Sequence, residues 1–410
     1  MHILLIHQAF VALDEPGGTR HHELARFLAE RGHQVTVIAS PVSYLTGKAG
    51  PKNPPVTQAY GDKGGQVTIL RARTYAALHR SFVHRVFSFF SFMASSFWTG
   101  LQVRQVDLVW GTSPPIFQGV TAWLLARLKG AAFLFEVRDL WPAFAIQVGV
   151  LRQPLLIRLS EWLERFLYRR ADRLLVNSPG FLEHVQRRGA RRVELVPNGA
   201  DAQMFDPGAD GLEFRRAHGL EGRFVALYAG AHGMSNDLGV LLGAAGRLAE
   251  HPEIAIVLVG DGKEKPALQT RAQELGLHNV VFVPPVPKDG MAEALAAADV
   301  CIAILKPIPL YGTVYPNKVF DYMAAGRPVL LAIDGVIRQV VEAAQGGVFV
   351  QPGDEAALAA ALVEFAAGRE RCREMGRSAR QYMETHFDRA ALAGKLADLL
   401  EAMVKERKSR

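Results

Sequence analysis

An α/β architecture of two domains on parallel sheets is predicted by three observations. Short apolar runs alternate with helical patterns along the whole chain, as strand–helix–strand crossovers require. The length, 410 residues, suits two domains of about 200 residues each. One stretch, Val196-Pro197-Asn198-Gly199-Ala200-Asp201 with Phe205-Asp206-Pro207-Gly208 after it, is dense in turn residues and poor in apolar ones, and it marks the break.

Strands are expected in the first half at Ile3–His7, Gln34–Ala39, Val67–Leu70, Asp107–Trp110, Ala132–Glu136, Arg173–Val176 and Val193–Val196. In the second half they are expected at Phe224–Ala229, Ile254–Val259, Val280–Val283, Val300–Ile304, Pro328–Leu331 and Val348–Val350. Helical patterns fill the gaps, among them Thr19–Arg31, Leu155–Arg170, Leu238–Ala249 and Glu355–Ala367. The division reads as residues 1–196, one Rossmann-like domain, residues 197–387, a second, and residues 388–410, a C-terminal helix with a frayed basic end. In sheets of this kind ligands sit beyond the carboxyl ends of the strands.

Apolar content of 49% with 21% charged residues describes a globular protein. Cys301 and Cys372 are too few for a disulfide scaffold or a structural zinc site, which points to a reducing cytoplasm. The opening Met1–His7 lacks a basic flank and reads as a first strand rather than a signal peptide. The first 180 residues hold 20 Lys and Arg against 11 Asp and Glu, the rest 27 against 29. The cationic half carries no basic stripe interleaved with base-stacking aromatics, which argues against nucleic acid. An anionic membrane surface or a phosphorylated acceptor fits it.

The segment from Pro316 to Val329 is the most informative. Proline suits a helix start, where its missing N–H would be unpaired anyway, and the first-turn amides can hold an anion. Lys318 and Asp321, three apart, share a helical face. Amides, an ammonium and a carboxylate together suit a nucleotide diphosphate, with phosphates on Lys318 and ribose hydroxyls on Asp321. Gly17-Gly18 stands between the first strand and its helix; such a turn lets a ligand approach backbone amides, and alone it equally suits a plain βα turn capped by Thr19. Glu136-Val137-Arg138-Asp139-Leu140-Trp141-Pro142 ends a strand. Arg138 and Asp139 there are either site residues or a buried ion pair. Gly230-Ala231-His232-Gly233 and Gly260-Asp261-Gly262-Lys263-Glu264-Lys265 end two strands of the second half. Val283-Pro284-Pro285-Val286-Pro287 would wall a base. Val86–Val103 is a run of 18 uncharged residues between Arg85 and Arg104, preceded by Arg71, Arg73, Arg80 and Phe82. Its six Ser, Thr and Gln residues speak against a membrane span. It reads as an interfacial helix or as a core helix of the first domain.

In this order the motifs resemble those of the GT-B glycosyltransferases, family 4 in particular, from Ile3 to about Phe387. The resemblance implies two Rossmann-like domains facing across a cleft, residues 1–196 binding the acceptor and residues 197–387 the nucleotide sugar. It implies retaining, metal-independent transfer of a sugar from a nucleotide diphosphate, with no cofactor beyond the nucleotide-sugar substrate. It puts Gly17, Gly18, Gly230, Lys265, Val286, Thr313, Asn317, Lys318 and Asp321 on the donor, and Arg138, Asp139, His232 and Lys265 at the reacting centre. Arg138-Asp139-Leu140-Trp141-Pro142 is similar to a bacterial branch that adds amino-deoxy sugars such as N-acetylfucosamine to lipid-linked saccharides, although Ala143-Phe144 follow where that branch has Glu-Ser. Other departures are Arg138 where many relatives have histidine, and His232 in place of an Arg/Lys pair near Ala231 and Asn236. Asp321 and Thr313 stand at the positions of a Glu-x7-Glu pair. The resemblance implies a UDP-sugar donor, a lipid-linked or saccharide acceptor, and a cytoplasmic enzyme peripheral on the inner face of the cell membrane. A UDP-N-acetylglucosamine 2-epimerase on the same fold and a non-catalytic nucleotide-sugar binding protein are the rival readings.

Overall fold

The computed structural model describes residues 1–11, 18–42, 55–76, 82–288 and 290–409, so Gly17 and Arg80 lie outside the described residues. The chain divides into two units. The first runs to Pro197 and takes in the segment from Ala390 onward; the second is Asn198–Arg389.

The first unit holds strands β1 (His2–Ile6), β2 (Gln34–Ala39), β3 (Val56–Tyr60), β4 (Gly65–Arg71), β5 (Leu108–Ser113), β6 (Ala132–Val137), β7 (Arg173–Val176) and β8 (Val193–Leu195), in the order β3-β4-β2-β1-β5-β6-β7-β8. Seven run parallel, and β3 pairs antiparallel with β4. The sequence reading missed β3. Its residues are almost all exposed, so no apolar run announces it. The signal lies in the turn, where Gly61 and Gly64 take positive φ (64° and 72°), as a tight hairpin needs.

The second unit holds β9 (Phe224–Ala229), β10 (Ile254–Val259), β11 (Val280–Val283), β12 (Val300–Ile304), β13 (Val329–Ala332) and β14 (Gly347–Phe349), all parallel, in the order β11-β10-β9-β12-β13-β14. Both faces of this sheet are covered. Val225, Leu227 and Ala229 enter one core, and Phe224, Ala226 and Tyr228 the other, the period of two that a strand imposes. Each unit is thus Rossmann-like, as the resemblance to the GT-B glycosyltransferases predicts.

Helix Arg389–Lys408 belongs to the first unit, not to a separate tail. Leu392, Leu396, Leu400 and Met403 pack with Ile3, Leu5, Leu24 and Val37 in its core. The basic end, expected to fray, is helical to Lys408 because it is tied down. Arg173 holds Glu406 at 2.6 Å, and Lys408 holds Asp107 at 2.8 Å.

Helix Phe82–Gln102 has one side in the core of the first unit and another exposed. Ser88, Phe92 and Ser96 are fully buried, while Phe87 and Trp98 stand out in solvent at 62% and 66% exposure. Its serines hold the preceding chain: Ser91 Oγ accepts from the Tyr75 amide at 2.8 Å, and Ser95 Oγ donates to the Arg73 carbonyl at 2.5 Å. No described helix is long and apolar enough to cross a membrane.

Candidate functional site

In the second unit the loops after β9 and β10 interlock. A Cβ on Gly260 (φ 141°) would lie 1.9 Å from the Gly230 carbonyl, and one on Gly262 2.4 Å from the His232 carbonyl, so only glycine fits at either place. The His232 amide donates to the Asp261 carbonyl at 2.8 Å, and the Glu264 amide to the His232 carbonyl at 3.0 Å. Lys265 opens helix Lys265–Glu274 and bends back over this loop. Its ammonium donates to the carbonyls of Gly260 (2.7 Å) and Val283 (3.0 Å), which leaves one of its three N–H bonds for a ligand.

Helix Asn317–Ala324 starts behind Pro316 with no side-chain cap; the Val319 amide turns back to the Pro316 carbonyl at 3.2 Å, and the Asn317 and Lys318 amides head the helix. It stops at Gly326 (φ 65°), whose amide returns to the Met323 carbonyl at 3.0 Å, a glycine C-cap. Val319, Phe320, Tyr322 and Met323 bury its inner face. Lys318 reaches the β9 loop. Its Nζ lies 3.9 Å from the Tyr228 ring centre and 3.4 Å from Asn236 Oδ1, and a Cβ on Gly230 would come within 2.8 Å of it. Desolvation pushes this ammonium down to about 7. The imidazole of His232 is fully buried with neither nitrogen hydrogen-bonded. Burial first, then the Lys265 charge, lowers it to about 4, so it is neutral at pH 7. The buried Asn317 Oδ1 is also unpartnered. Native interiors leave few such atoms unmet.

The geometry brings together Gly230, His232, Lys265, Asn317 and Lys318: two ammonium groups, a neutral imidazole and a helix N-terminus around glycine-lined backbone. That set suits a ligand with adjacent anionic groups. Asp321 turns the other way. Its carboxylate pairs with Lys288 Nζ at 2.6 Å, in the loop after β11 that also holds the half-buried Val286. Sequence reasoning missed Lys288, since nothing in a loop lysine announces a partner 33 positions on. Thr313 ends a short 3-10 turn and donates to the Leu310 carbonyl at 2.7 Å.

In the first unit Gly18 is exposed, and a Cβ there would meet no described residue within 4 Å. Arg138 and Asp139, read as a possible buried ion pair, do not pair. Asp139 is exposed, and Arg138 donates to the Pro114 carbonyl at 2.7 Å.

Comparison with known proteins agrees with this fold. Residues 17–199 match the Glycosyl transferase 4-like domain, and residues 223–367 match Glycosyl transferases group 1. A D-inositol 3-phosphate glycosyltransferase of Geodermatophilus obscurus is 30% identical over 370 residues, covering 85% of this chain and 77% of its own. The putative colanic acid biosynthesis glycosyl transferase WcaI of Escherichia coli K12 is 26% identical over 353 residues, covering 83% and 86%. Among solved structures, Anabaena HepE in complex with UDP-glucose superposes with a TM-score of 0.71 at 17% identity, covering 98% of this chain and 100% of that one.

Proposed function

This chain belongs to the glycosyltransferases, with a Glycosyl transferase 4-like domain followed by a group 1 domain, and on that premise we propose that it moves a sugar from a UDP-linked donor to a hydroxyl of a lipid-linked or saccharide acceptor in bacterial cell-surface glycan synthesis. The observation that carries the reading is the meeting of Lys318, Lys265 and His232 around the Gly230 and Gly260 backbones. Leaving-group charge develops on the diphosphate as the glycosidic bond breaks. Fixed N–H donors and ammonium groups in a desolvated place stabilise such charge with little reorganisation. Lys318 and the first-turn amides of helix Asn317–Ala324 hold the phosphates. The last N–H of Lys265 joins them, and His232 supplies a neutral donor. Asp321 takes the ribose hydroxyls, releasing or sharing Lys288. Retention follows when the departing phosphate itself receives the acceptor proton on the face it has left, a course that needs no metal and no further side-chain base. Arg138 and Asp139 belong to the acceptor side in this reading.

Membrane association is part of the proposal. Phe87 and Trp98 project from helix Phe82–Gln102, with Arg85 and Arg104 at its ends, as an interfacial helix would present them. An N-acetylfucosamine-type nucleotide sugar, suggested by the run from Arg138 to Pro142, is one donor to be tried.

The test is a thermal-shift screen of UDP-, GDP- and dTDP-sugars, because a ligand of the folded state raises its apparent stability. Transfer is then assayed with the anomeric product read by NMR. Stabilisation by UDP-sugars, lost in Lys318→Ala, and an α-linked product from an α-linked donor are expected. Epimerisation of the donor without an acceptor, or no turnover with any donor, overturns the reading. Flotation with anionic liposomes tests the membrane claim, and robust transfer to a soluble acceptor by a protein that never floats removes it.

A further inference from the structure

The first unit has its own buried polar assembly, at the carboxyl ends of the adjacent strands β1, β5 and β6. His7 follows β1, Arg20 and His21 open helix Arg20–Glu30, Trp110 lies in β5 and Glu136 in β6; all five are at most 3% exposed. Glu136 accepts from His21 Nε2 at 2.6 Å, from Trp110 Nε1 at 3.1 Å and from Arg20 at 3.3 Å. Arg20 is fixed in turn by the carbonyls of Val196 and Pro197, both at 3.0 Å. His7 Nε2 lies 3.1 Å from His21 Nδ1.

These contacts decide where the protons are. A carboxylate only accepts, so His21 carries its proton on Nε2. Burial outweighs the pull of Glu136 and lowers His21 to about 4, so the ring is neutral and its Nδ1 is a lone pair. His7 Nε2 must then be the donor across the 3.1 Å contact. Burial lowers His7 well below its ordinary value, so it too is neutral, and its Nδ1 is left as an acceptor. That nitrogen is buried with no partner among the described residues. Arg138 Nε, a donor at the end of β6, is buried and unpartnered as well. An unmet acceptor and an unmet donor near one sheet edge complement a hydroxyl, which gives one hydrogen bond and takes another.

We propose that His7 is a saccharide-binding residue whose Nδ1 accepts a hydrogen bond from a sugar hydroxyl, with Arg138 donating to the same sugar and with His21 and Glu136 as positioning residues that lock the tautomer. The ligand class rests on the glycosyl-transfer reading; the proton arrangement does not. Glu136 acts at a distance: without it His21 is free to place its proton on Nδ1, and the lone pair at His7 is lost.

The experiment uses the full chain with 15N-labelled histidine. Long-range 1H–15N spectra are recorded alone and with methyl glycosides of glucose, galactose and N-acetylglucosamine. His7 is expected to be protonated at Nε2 and bare at Nδ1, and the Nδ1 resonance is expected to move with at least one glycoside. His7→Leu should weaken that glycoside roughly tenfold, the scale of one buried hydrogen bond. His7→Asn keeps an acceptor and should recover most of the loss. Glu136→Gln should give mixed tautomers at His7. A proton on Nδ1 in the parent protein, glycosides that never move His7, or a His7→Leu variant that binds as well as the parent each overturns the proposal. A protein that turns over no nucleotide sugar yet shows these shifts loses the enzyme reading and keeps this one, and an active transferase with a silent His7 does the reverse.

Discussion

Lys318 makes nucleotide binding depend on pH in a direction that can be worked out. Its folded-state value is about 7, against 10.5 for an ordinary lysine, because the ammonium is desolvated over Tyr228. A diphosphate binds the charged form. Above pH 7 the charged fraction drops about tenfold per pH unit, so each unit costs about 1.4 kcal/mol of affinity until the value in the complex is reached. UDP-glucose is the right probe, since a phosphodiester carries no proton near neutrality, whereas a terminal phosphate titrates near pH 6. His232 does not interfere, as it charges only near pH 4. Isothermal titration calorimetry in buffers of different ionisation enthalpy should show close to one proton taken up per ligand at pH 8, and Kd should rise by roughly fiftyfold from pH 7 to 9. Lys318→Met should abolish the slope and weaken binding at pH 7 by about 1.5–3 kcal/mol, the worth of a charge-assisted contact. The ligand-free protein should behave oppositely. Between pH 7 and 10.5 the unfolded chain holds a proton that the native one lacks, so native stability rises with pH across that window. Lys318→Met should therefore raise the ligand-free Tm while it lowers affinity. A Kd flat from pH 7 to 9, or a slope that survives in Lys318→Met, refutes the reasoning.

Gly260→Ala should cost about 2–4 kcal/mol in urea unfolding and lose UDP-glucose binding, since its Cβ would lie 1.9 Å from the Gly230 carbonyl. Burial pushes the Glu136 carboxyl up, but His21 and Arg20 more than offset this and hold it at about 2. Its contribution is therefore complete above pH 4.5 and lost as pH falls toward 2; Glu136→Gln should flatten that part of the acid unfolding curve. Leu396→Ala should cost about 2–5 kcal/mol, and calorimetry should place the loss in the transition of the first unit alone.

What the sequence made legible was the buried framework. β9 and β10 are continuous apolar runs, and a strand covered on both faces needs no more than that to be recognised. Helix Asn317–Ala324 was legible from its two ends, Pro316 and Gly326, because both residues act through local backbone chemistry. The partners of side chains were not. Asp321 and Lys288 are joined by folding alone, and so are His7, His21 and Glu136, which are spread over 129 positions. The strand β3 escaped because exposed, mixed residues give no period to read. For helix Phe82–Gln102 composition did not say which residues face the core; folding puts Phe92 inside and leaves Phe87 exposed.

The return of helix Arg389–Lys408 to the first core has a consequence for biosynthesis. A ribosome releases β1 at the outset, yet the apolar side of β1 and β2 lacks part of its cover until Leu392, Leu396 and Leu400 emerge some 350 codons later. The stretch Asn198–Arg389 has its own core and can pack during translation, while the unit that precedes it waits with an open flank for helix Arg389–Lys408 to arrive.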